Sequence, residues 1–170
     1  MTTATDTSHQ VSFTLNDQPV TASSGETILQ AARRNGVDIP HLCYADGLAT
    51  AGNCRACVVE IDGERVLAPS CCRAPTEGMK VSSTNARARR SQSLVLELLR
   101  GEVGEASHTN ESELDHWCDQ YDLEQSRFGG RHQPKGDLSH PAIAVNMESC
   151  IQCTRCVRAC REAVSYTHLR

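Results

Sequence analysis

The chain has 170 residues, ten cysteines, 4% aromatic residues and a formal net charge of -4. That length suits one ordinary domain or two small ones, and the negative charge excludes a general attraction to nucleic acid or anionic membranes. The apolar runs fall far short of the roughly 20 residues needed to cross a bilayer, and residues 1–10 are too polar for a secretory signal. We therefore expect a cytoplasmic protein without membrane insertion.

A first hairpin is predicted at the start of a small mixed α/β unit that spans residues 11–81. Val11, Phe13 and Leu15 alternate with polar residues, as in a strand with one buried face. The pair Asn16-Asp17 then favours a turn. The sequence therefore predicts two adjacent antiparallel strands.

A short helix is predicted next. Ser23-x-x-Glu26 has the pattern of a capping box, and Gly36 is a typical stop signal. Between them lies an apolar face formed by Ile28, Leu29, Ala31 and Ala32. This helix is expected to cross one face of the sheet.

A second hairpin and a closing strand follow a loop that contains glycine. Residues 57–61 and 66–68 flank the turn pair Asp62-Gly63, and residues 79–81 form a last apolar strand. The order strand, strand, helix, loop, strand, strand is that of a β-grasp sheet.

Two further helices are predicted. In the first, Thr84 is the N-cap, Leu94, Val95 and Leu98 share the apolar face, and Gly101 is the stop. The second is capped by Ser112, and its apolar face consists of Leu114, Trp117, Cys118 and Tyr121. Composition rich in Gly, His, Pro and Lys then indicates a surface linker over residues 129–140.

The most informative motif is Cys43-x10-Cys54-x2-Cys57-x13-Cys71. Four thiolates from one loop and one strand end can converge on two iron atoms, each of which binds sulfur tetrahedrally. The motif therefore predicts a 2Fe-2S cluster held by these four cysteines.

Gly47 and Gly52 lie in the same loop, and their small size is expected to let backbone N–H groups approach the inorganic sulfides. Cys72 is expected to be a buried small hydrophobe, with an exchange of ligand with Cys71 left open. Zinc is the chief chemical alternative because C-x2-C is also half of a zinc site. The single outer cysteines and the glycines favour iron over zinc.

A second motif, Cys150-x2-Cys153-x2-Cys156-x3-Cys160, has the spacing of bacterial 4Fe-4S ferredoxins, with Arg161 in place of the usual proline. In two-cluster ferredoxins the fourth cysteine of such a run binds the other cluster. Cys160 is therefore expected to serve a second cluster, for which no further cysteine run follows.

Three segments around the first motif carry a family resemblance: residues 39–44, 52–60 and 69–71. They resemble the N-terminal region of the large iron–sulfur subunit of respiratory complex I, of bidirectional hydrogenases and of molybdenum- or tungsten-dependent formate dehydrogenases. The resemblance implies that Cys43 and Cys54 hold one iron while Cys57 and Cys71 hold the other.

Residues 146–162 resemble the α-subunits of the same formate dehydrogenases. Those subunits continue into a second cysteine run and a molybdopterin domain, whereas residues 163–170 depart from the pattern, so we expect a truncated chain. In complex I and many hydrogenases the middle unit binds another cluster through one histidine and three cysteines. Cys118 is the sole cysteine between Cys72 and Cys150, so that site cannot be assembled, and Cys118 is expected to be core.

The predicted fold class is α+β. Residues 9–86 are expected to form a β-grasp 2Fe-2S ferredoxin-type domain, 87–128 a small helical unit without its cluster ligands, 129–140 a linker, and 141–170 a partial bacterial-type 4Fe-4S ferredoxin unit. No catalytic residues are recognised in the chain, since no phosphate loop or nucleophile–base set is present.

The predicted function is electron transfer within an NAD-linked formate dehydrogenase. The implied partners are redox subunits: a molybdopterin domain and an NAD-reducing flavin or iron–sulfur subunit. Three alternatives stay open, namely a subunit of a hydrogenase or complex I-like NADH dehydrogenase, a stand-alone ferredoxin, and a zinc-stabilised interaction domain.

Overall fold

A computed structural model describes residues 10–103, 112–130 and 136–163. The strands are β1 (Val11–Leu15), β2 (Gln18–Ala22), β3 (Val58–Ile61), β4 (Ala68–Pro69), β5 (Lys80–Ser82), β6 (Asp137–His140) and β7 (Ile143–Val145). The helices are α1 (Ile28–Arg34), α2 (Ala86–Glu102), α3 (Glu113–Gln120) and α4 (Arg155–Glu162). Within these described ranges, no helix is long and apolar enough to span a bilayer.

The chain divides into two compact units. The first consists of Met1–Ile39 and Cys57–Arg89, and the second of Pro40–Ala56 and Arg90–Arg170. Helices and a mixed sheet are both present, as the predicted fold class requires. The boundaries of the four predicted segments and the 4Fe-4S unit stay predictions.

The first unit is built on a five-stranded sheet with the order β2-β1-β5-β3-β4. β1 pairs parallel with β5, and the other neighbours are antiparallel. Asn16 and Asp17 have φ angles of 49° and 63°, which is the left-handed conformation that a two-residue hairpin turn needs. The Asn16 side chain donates to Ser83 Oγ over 2.9 Å and accepts from the Ser83 amide over 2.8 Å, which ties this turn to the end of β5.

α1 has the predicted buried face but a different start. Its N-cap is Thr27, whose hydroxyl accepts from the Gln30 amide while the Gln30 side chain accepts from the Thr27 amide. The predicted start after Ser23 is therefore wrong. Ser23 and Glu26 form a turn instead, in which the Ser23 amide donates to Glu26 Oε2 over 2.8 Å.

The second hairpin is shorter than predicted. The Glu64 amide donates to the Ile61 carbonyl over 3.0 Å, which closes the turn at Asp62-Gly63. β4, however, contains only Ala68 and Pro69, so residues 66 and 67 lie outside the strand. Val66 is 60% exposed, which is the physical sign that this end of the hairpin does not join the core.

The buried face of α2 agrees with the prediction at Val95, which packs against the core, and differs from it at Leu94 and Leu98. Leu94 and Leu98 are 41% and 44% exposed, whereas Ala88, Gln92 and Leu96 are fully buried at successive intervals of four residues. The predicted stop is also wrong, because the helix runs through Gly101 to Glu102.

Gly101 lies in close contact with another segment of the second unit. A Cβ at Gly101 would meet Ser126 Oγ at 2.8 Å and the Phe128 carbonyl oxygen at 3.1 Å. A Cβ at this position would force the Ser126 side chain to shift and would crowd the Phe128 carbonyl, so the absence of a Cβ lets the two segments approach each other.

The core of the second unit joins α2 and α3 to the loop that precedes β3. Its buried members are Leu42, Ala56, Leu96, Leu114, Trp117 and Cys118. The predicted N-cap of α3 is confirmed, since Ser112 Oγ accepts from the Asp115 amide over 3.3 Å. β6 and β7 form a separate two-stranded sheet that the sequence did not predict, and residues 131–135 of the predicted linker lie outside the described residues.

Candidate iron–sulfur site

The loop that carries Cys43 and Cys54 has no helix or strand. Gly47 and Gly52 have φ angles of +82° and +63°, a conformation that glycine adopts at little cost. A Cβ at Gly47 would meet nothing within 4 Å. At this position the backbone angle itself favours glycine, and the close approach of backbone N–H groups to the sulfides stays a prediction.

Cys43 and Cys54 lie side by side. The Cys54 thiol donates to the Cys43 sulfur over 3.4 Å, and Cys43 is only 1% exposed. The pKa of Cys54 is raised above its usual value, mainly by this hydrogen bond and to a smaller extent by burial. Two thiols at this separation are close enough for one soft metal ion to bind both once their protons are lost.

The residues next to these cysteines anchor the loop in the hydrophobic core. Leu42 is 1% exposed and Ala56 is fully buried, and both pack with α2 and α3 side chains in the second unit. Arg55 follows Cys54 with a φ angle of +60°, which is uncommon for a residue other than glycine. The anchors therefore hold the two thiols in a backbone path that an isolated loop would not prefer.

Cys57 and Cys71 are linked through Ser70 in the first unit. The Ser70 amide donates to the Cys57 carbonyl over 3.0 Å, and the Ser70 hydroxyl donates to the same oxygen over 2.7 Å. Both cysteines are 1% exposed and Ser70 is fully buried. The pairing of Val58 with Pro69 across β3 and β4 continues this connection.

The first turn of α1 holds the segment that contains Cys71. The Leu29 and Ile28 amides donate to the Ser70 and Arg73 carbonyls over 3.0 Å and 2.8 Å. N–H groups in the first turn of a helix lack acceptors within the helix. Here the carbonyls of the segment that contains Cys71 are the acceptors.

Cys72 is exposed, so the expectation of a buried small hydrophobe is wrong. Its sulfur lies 3.5 Å from that of Cys71. Because the Cys72 thiol is close to Cys71 and accessible to solvent, the replacement of Cys71 by Cys72 as a cluster ligand stays an open alternative.

The four cysteines of the C-terminal motif lie before and within α4. Cys156 and Cys160 belong to the helix, four residues apart, whereas Cys150 and Cys153 precede it. Gln152 and Thr154 have φ angles of 56° and 61°, so this backbone also contains left-handed residues around a C-x2-C spacing. Cys156 is exposed, and the other three are half-buried.

None of the ten cysteines, all of which lie in described residues, forms a disulfide. Over residues 10–103, 112–130 and 136–163, the structure does not group three or more His, Cys, Asp or Glu side chains as a metal site. It brings together Cys43 with Cys54 and Cys71 with Cys72. Thiols arranged in close or tethered pairs, most of them buried, fit the chemistry of iron–sulfur binding, and the ligand assignments of both motifs stay predictions.

Cys118 is confirmed as a core residue. Its side chain is 1% exposed and packs beside Trp117 and Leu114. Burial raises its pKa from 9.0 to about 11, so the thiol is neutral near pH 7.

Sequence reasoning missed a set of polar contacts between α4 and the loop of residues 43–54, all within the second unit. The Arg158 guanidinium donates to the carbonyls of Cys43 and Ala49. The Ala49 amide donates to Glu162 Oε2 over 2.7 Å, and the Asn53 side chain donates to Thr154 Oγ1 over 2.8 Å. The only signal in the sequence was the position of Arg158 between Cys156 and Cys160.

The first unit combines a five-stranded mixed sheet with the helix α1, as a ferredoxin-type domain does. Residues 8–86 match the family described as the 2Fe-2S iron-sulfur cluster binding domain. This segment is therefore a 2Fe-2S domain, and a 2Fe-2S cluster is its cofactor.

Sequence similarity to three other proteins extends over most of the chain. An NADH-quinone oxidoreductase subunit of Rhizobium meliloti is 34% identical over 162 residues, which cover 91% of this chain and 19% of the relative. NADP-reducing hydrogenase subunit HndD of Solidesulfovibrio fructosivorans is 32% identical, covering 88% and 27%. The mitochondrial NADH-ubiquinone oxidoreductase 78 kDa subunit of Candida albicans is 32% identical, covering 88% and 22%.

A solved structure shares the fold. The crystal structure of NAD+-reducing [NiFe]-hydrogenase in the H2-reduced state matches with a TM-score of 0.81 and 30% identity, over 89% of this chain and 66% of that one. The chain is thus homologous to subunits of NADH dehydrogenases and of NAD-reducing hydrogenase. It spans about a fifth to a quarter of the length of the named relatives.

Proposed function

We propose that this chain is an electron-transfer module that holds its 2Fe-2S cluster through Cys43, Cys54, Cys57 and Cys71. The observation that supports this most directly is the pair of Cys43 and Cys54 sulfurs 3.4 Å apart, in a loop inside a 2Fe-2S domain. When bound, such a cluster accepts and releases one electron at a time. The chain itself supplies the ligands and their surroundings.

The residues around the cysteines have two roles in this proposal. Leu42 and Ala56 fix the ends of the loop, and Ser70 fixes Cys57 relative to Cys71. The burial of Cys43, Cys57 and Cys71 keeps water and oxidants from the thiolates, and the exclusion of solvent also influences the reduction potential.

We propose that the module works in a complex of the NADH dehydrogenase or NAD(P)-linked hydrogenase type, next to redox subunits. The identities of 30–34% to proteins of these two types support this. A formate dehydrogenase is the second candidate. It is favoured by one observation, namely that Cys118 is the sole cysteine between Cys72 and Cys150, which leaves no histidine–cysteine cluster site.

We further propose that Cys150, Cys153 and Cys156 bind a 4Fe-4S cluster, with Cys160 available to a second one. The spacing of the motif supports this, together with the left-handed residues that turn the backbone between its cysteines. If Cys160 belongs to another cluster, a 4Fe-4S site in this chain will be substoichiometric or sensitive to oxygen.

The ligand assignment is tested on the anaerobically reconstituted 170-residue chain. Iron and sulfide analysis, visible absorption and low-temperature EPR of the reduced protein should show a 2Fe-2S cluster. Replacing Cys43, Cys54, Cys57 or Cys71 by serine should weaken or abolish the EPR signal of the cluster, because oxygen is a poorer ligand than sulfur for this iron. Cys118→Ala is the matched control and should keep the signal.

Two results would change the assignment. If Cys71→Ser keeps the signal and Cys72→Ser removes it, then Cys72 is the fourth ligand. A colourless protein that retains zinc and takes up no iron would instead favour the zinc-stabilised domain. Mössbauer spectroscopy of wild type and Cys150→Ser tests the 4Fe-4S site, since only the cubane component should be lost.

The two candidate complexes can be distinguished by the electron donor that drives the reduction of NAD(P). The chain, purified with its natural partners, is assayed with NAD(P) and either hydrogen or formate. Reduction driven by hydrogen supports the hydrogenase type, and reduction driven by formate supports the second candidate. Oxidation of NADH by a quinone with neither donor active supports the dehydrogenase type.

A further inference from the structure

We propose that α4 clamps the loop of residues 43–54, and that Arg158 is a positioning residue that orders the Cys43 end of the cluster site and raises its reduction potential. The part about the potential rests on the proposed function, because it takes Cys43 as a cluster ligand. The clamp is defined here as Thr154, Arg158 and Glu162, which all contact the loop within the second unit.

The Arg158 side chain is held at several points. Its two terminal nitrogens donate to the carbonyls of Cys43 and Ala49, which lie six residues apart in the loop. Its Nε donates over 3.3 Å to Oγ1 of Thr154, the residue that precedes α4 as its N-cap. A planar guanidinium fixed in this way sets the distance between two points of the loop, which a single flexible ammonium group could not do.

Thr154 and Glu162 extend the clamp to other parts of the loop. Thr154 Oγ1 also accepts from the Asn53 side chain over 2.8 Å, beside Cys54. Glu162 accepts from the Ala49 amide over 2.7 Å, so both backbone groups of Ala49 bind α4 side chains. The helix therefore contacts the start, the middle and the end of the loop.

The loop has a physical need for such partners. It contains no strand or helix whose hydrogen bonds would satisfy its backbone, and ordering each of its residues costs conformational entropy. Ala49 is exposed, so burial of apolar surface does not hold this part of the loop. Hydrogen bonds to charged side chains are among the stronger ones available for this purpose.

Arg158 also places a positive charge next to the backbone of Cys43. Reduction adds a negative charge to a cluster, and a nearby cation stabilises the reduced state more than the oxidised one. Removing Arg158 should therefore make the cluster harder to reduce. The effect should exceed that of a distant charge because Arg158 also fixes the Cys43 peptide group.

Arg161 provides a matched control on the same helix. It carries the same charge, three residues further on, and its side chain is exposed. Among the described residues, the hydrogen bonds from α4 to the loop come from Arg158, Glu162 and Thr154, without Arg161. Arg161→Gln thus removes the charge and spares the clamp.

The experiment compares wild type with Arg158→Gln, Arg158→Lys and Arg161→Gln in the 170-residue chain. Redox titration monitored by EPR gives the midpoint potential of the 2Fe-2S cluster. Arg158→Gln should lower that potential more than Arg161→Gln does, and Arg158→Lys should restore part of the difference because it keeps the charge. The line shape of the EPR signal should change in Arg158→Gln and stay unchanged in Arg161→Gln.

Hydrogen exchange of the metal-free chain is a second readout that needs no cluster. The amides of residues 44–52 should exchange faster in Arg158→Gln, by on the order of tenfold, as expected for the loss of a charged hydrogen bond. Arg161→Gln should leave this segment unchanged. Faster exchange at Ala49 in Glu162→Gln would support the other half of the clamp.

The outcomes separate this inference from the proposed function. If the cluster forms and the two arginine variants agree in potential and in exchange, the inference is overturned. Faster exchange with an unchanged potential supports the ordering of the loop by Arg158 and rejects its effect on the reduction potential. If wild type binds no 2Fe-2S cluster, the ligand assignment fails, and the exchange data alone then decide whether the clamp exists.

Discussion

The hydroxyl of Ser70 donates to the carbonyl of Cys57 over 2.7 Å, inside a region where both residues are buried. The Ser70 amide donates to the same oxygen. Since Cys71 follows Ser70 directly, these bonds connect the backbones of two proposed ligands that have thirteen residues between them in the sequence. Ser70 therefore positions two proposed ligands relative to each other, although its own hydroxyl is a poor ligand for iron.

Ser70→Ala should lower the free energy of unfolding by about 1 kcal/mol, because the backbone bond remains while one buried hydrogen bond is lost. The cluster should still form but should be lost faster in air, since the link between Cys57 and Cys71 is looser. Urea unfolding and the decay of the visible absorption measure the two effects. Ser24→Ala, at an exposed serine, is the control and should change neither.

Cys118 should resist alkylation in the folded protein. Burial raises its pKa to about 11, so little thiolate exists below about pH 10, and the side chain is 1% exposed. Cys72 is exposed and should react much sooner. Treatment with iodoacetamide at about pH 8, where an ordinary exposed thiol is partly ionised, followed by peptide mass spectrometry, checks this. Equal labelling of the two cysteines in native protein would contradict the buried placement of Cys118.

The elements that the sequence predicted well depend on local signals. Asn16-Asp17 and Asp62-Gly63 specify turns by themselves, and Ser112 caps α3 through its own side chain. The start of α1 was missed because two capping patterns overlap. Ser23 with Glu26 forms only a turn, while Thr27 with Gln30 caps the helix.

What the sequence could not predict depends on distant partners. Gln92 is fully buried on α2 because the Tyr121 hydroxyl donates to its Oε1 over 2.6 Å, a contact that spans 29 residues of sequence. A pattern that counts only apolar residues assigns the buried face to Leu94 and Leu98 instead. The contacts of Arg158 with the cysteine loop span more than 100 residues of sequence and leave no local trace.

The orientation of α2 gives a direct mutational test. Leu96→Ala should lower the free energy of unfolding by about 2–5 kcal/mol, because a fully buried leucine is replaced by a cavity. Leu94→Ala removes the same group from a 41% exposed position, where a change within about 0.5 kcal/mol is expected. Denaturant unfolding of both variants measures the difference. A larger loss for Leu94→Ala would restore the face predicted from the sequence.

The last prediction concerns Glu97 on α2, whose side chain is 4% exposed. Its carboxylate accepts from the Arg127 amide over 2.9 Å, and from Arg127 Nε and Nη2 over 2.7 Å each. These hydrogen bonds lower the pKa of Glu97 from 4.5 to about 2. The carboxylate thus prefers its charged form in the folded protein.

A carboxyl whose pKa is lower in the folded state than in the unfolded state stabilises the fold at pH values above the unfolded pKa. That contribution is lost as the pH falls from about 4.5 through about 2, because the folded protein must then take up a proton. Glu97→Gln should therefore be less stable than wild type at pH 7, and the difference should shrink as the pH is lowered through this window. Urea unfolding at a series of pH values measures it, with Glu124→Gln, at an exposed carboxylate, as the control. A difference between wild type and Glu97→Gln that stays constant from pH 7 to pH 2 would mean that the ion pair with Arg127 does not contribute to stability.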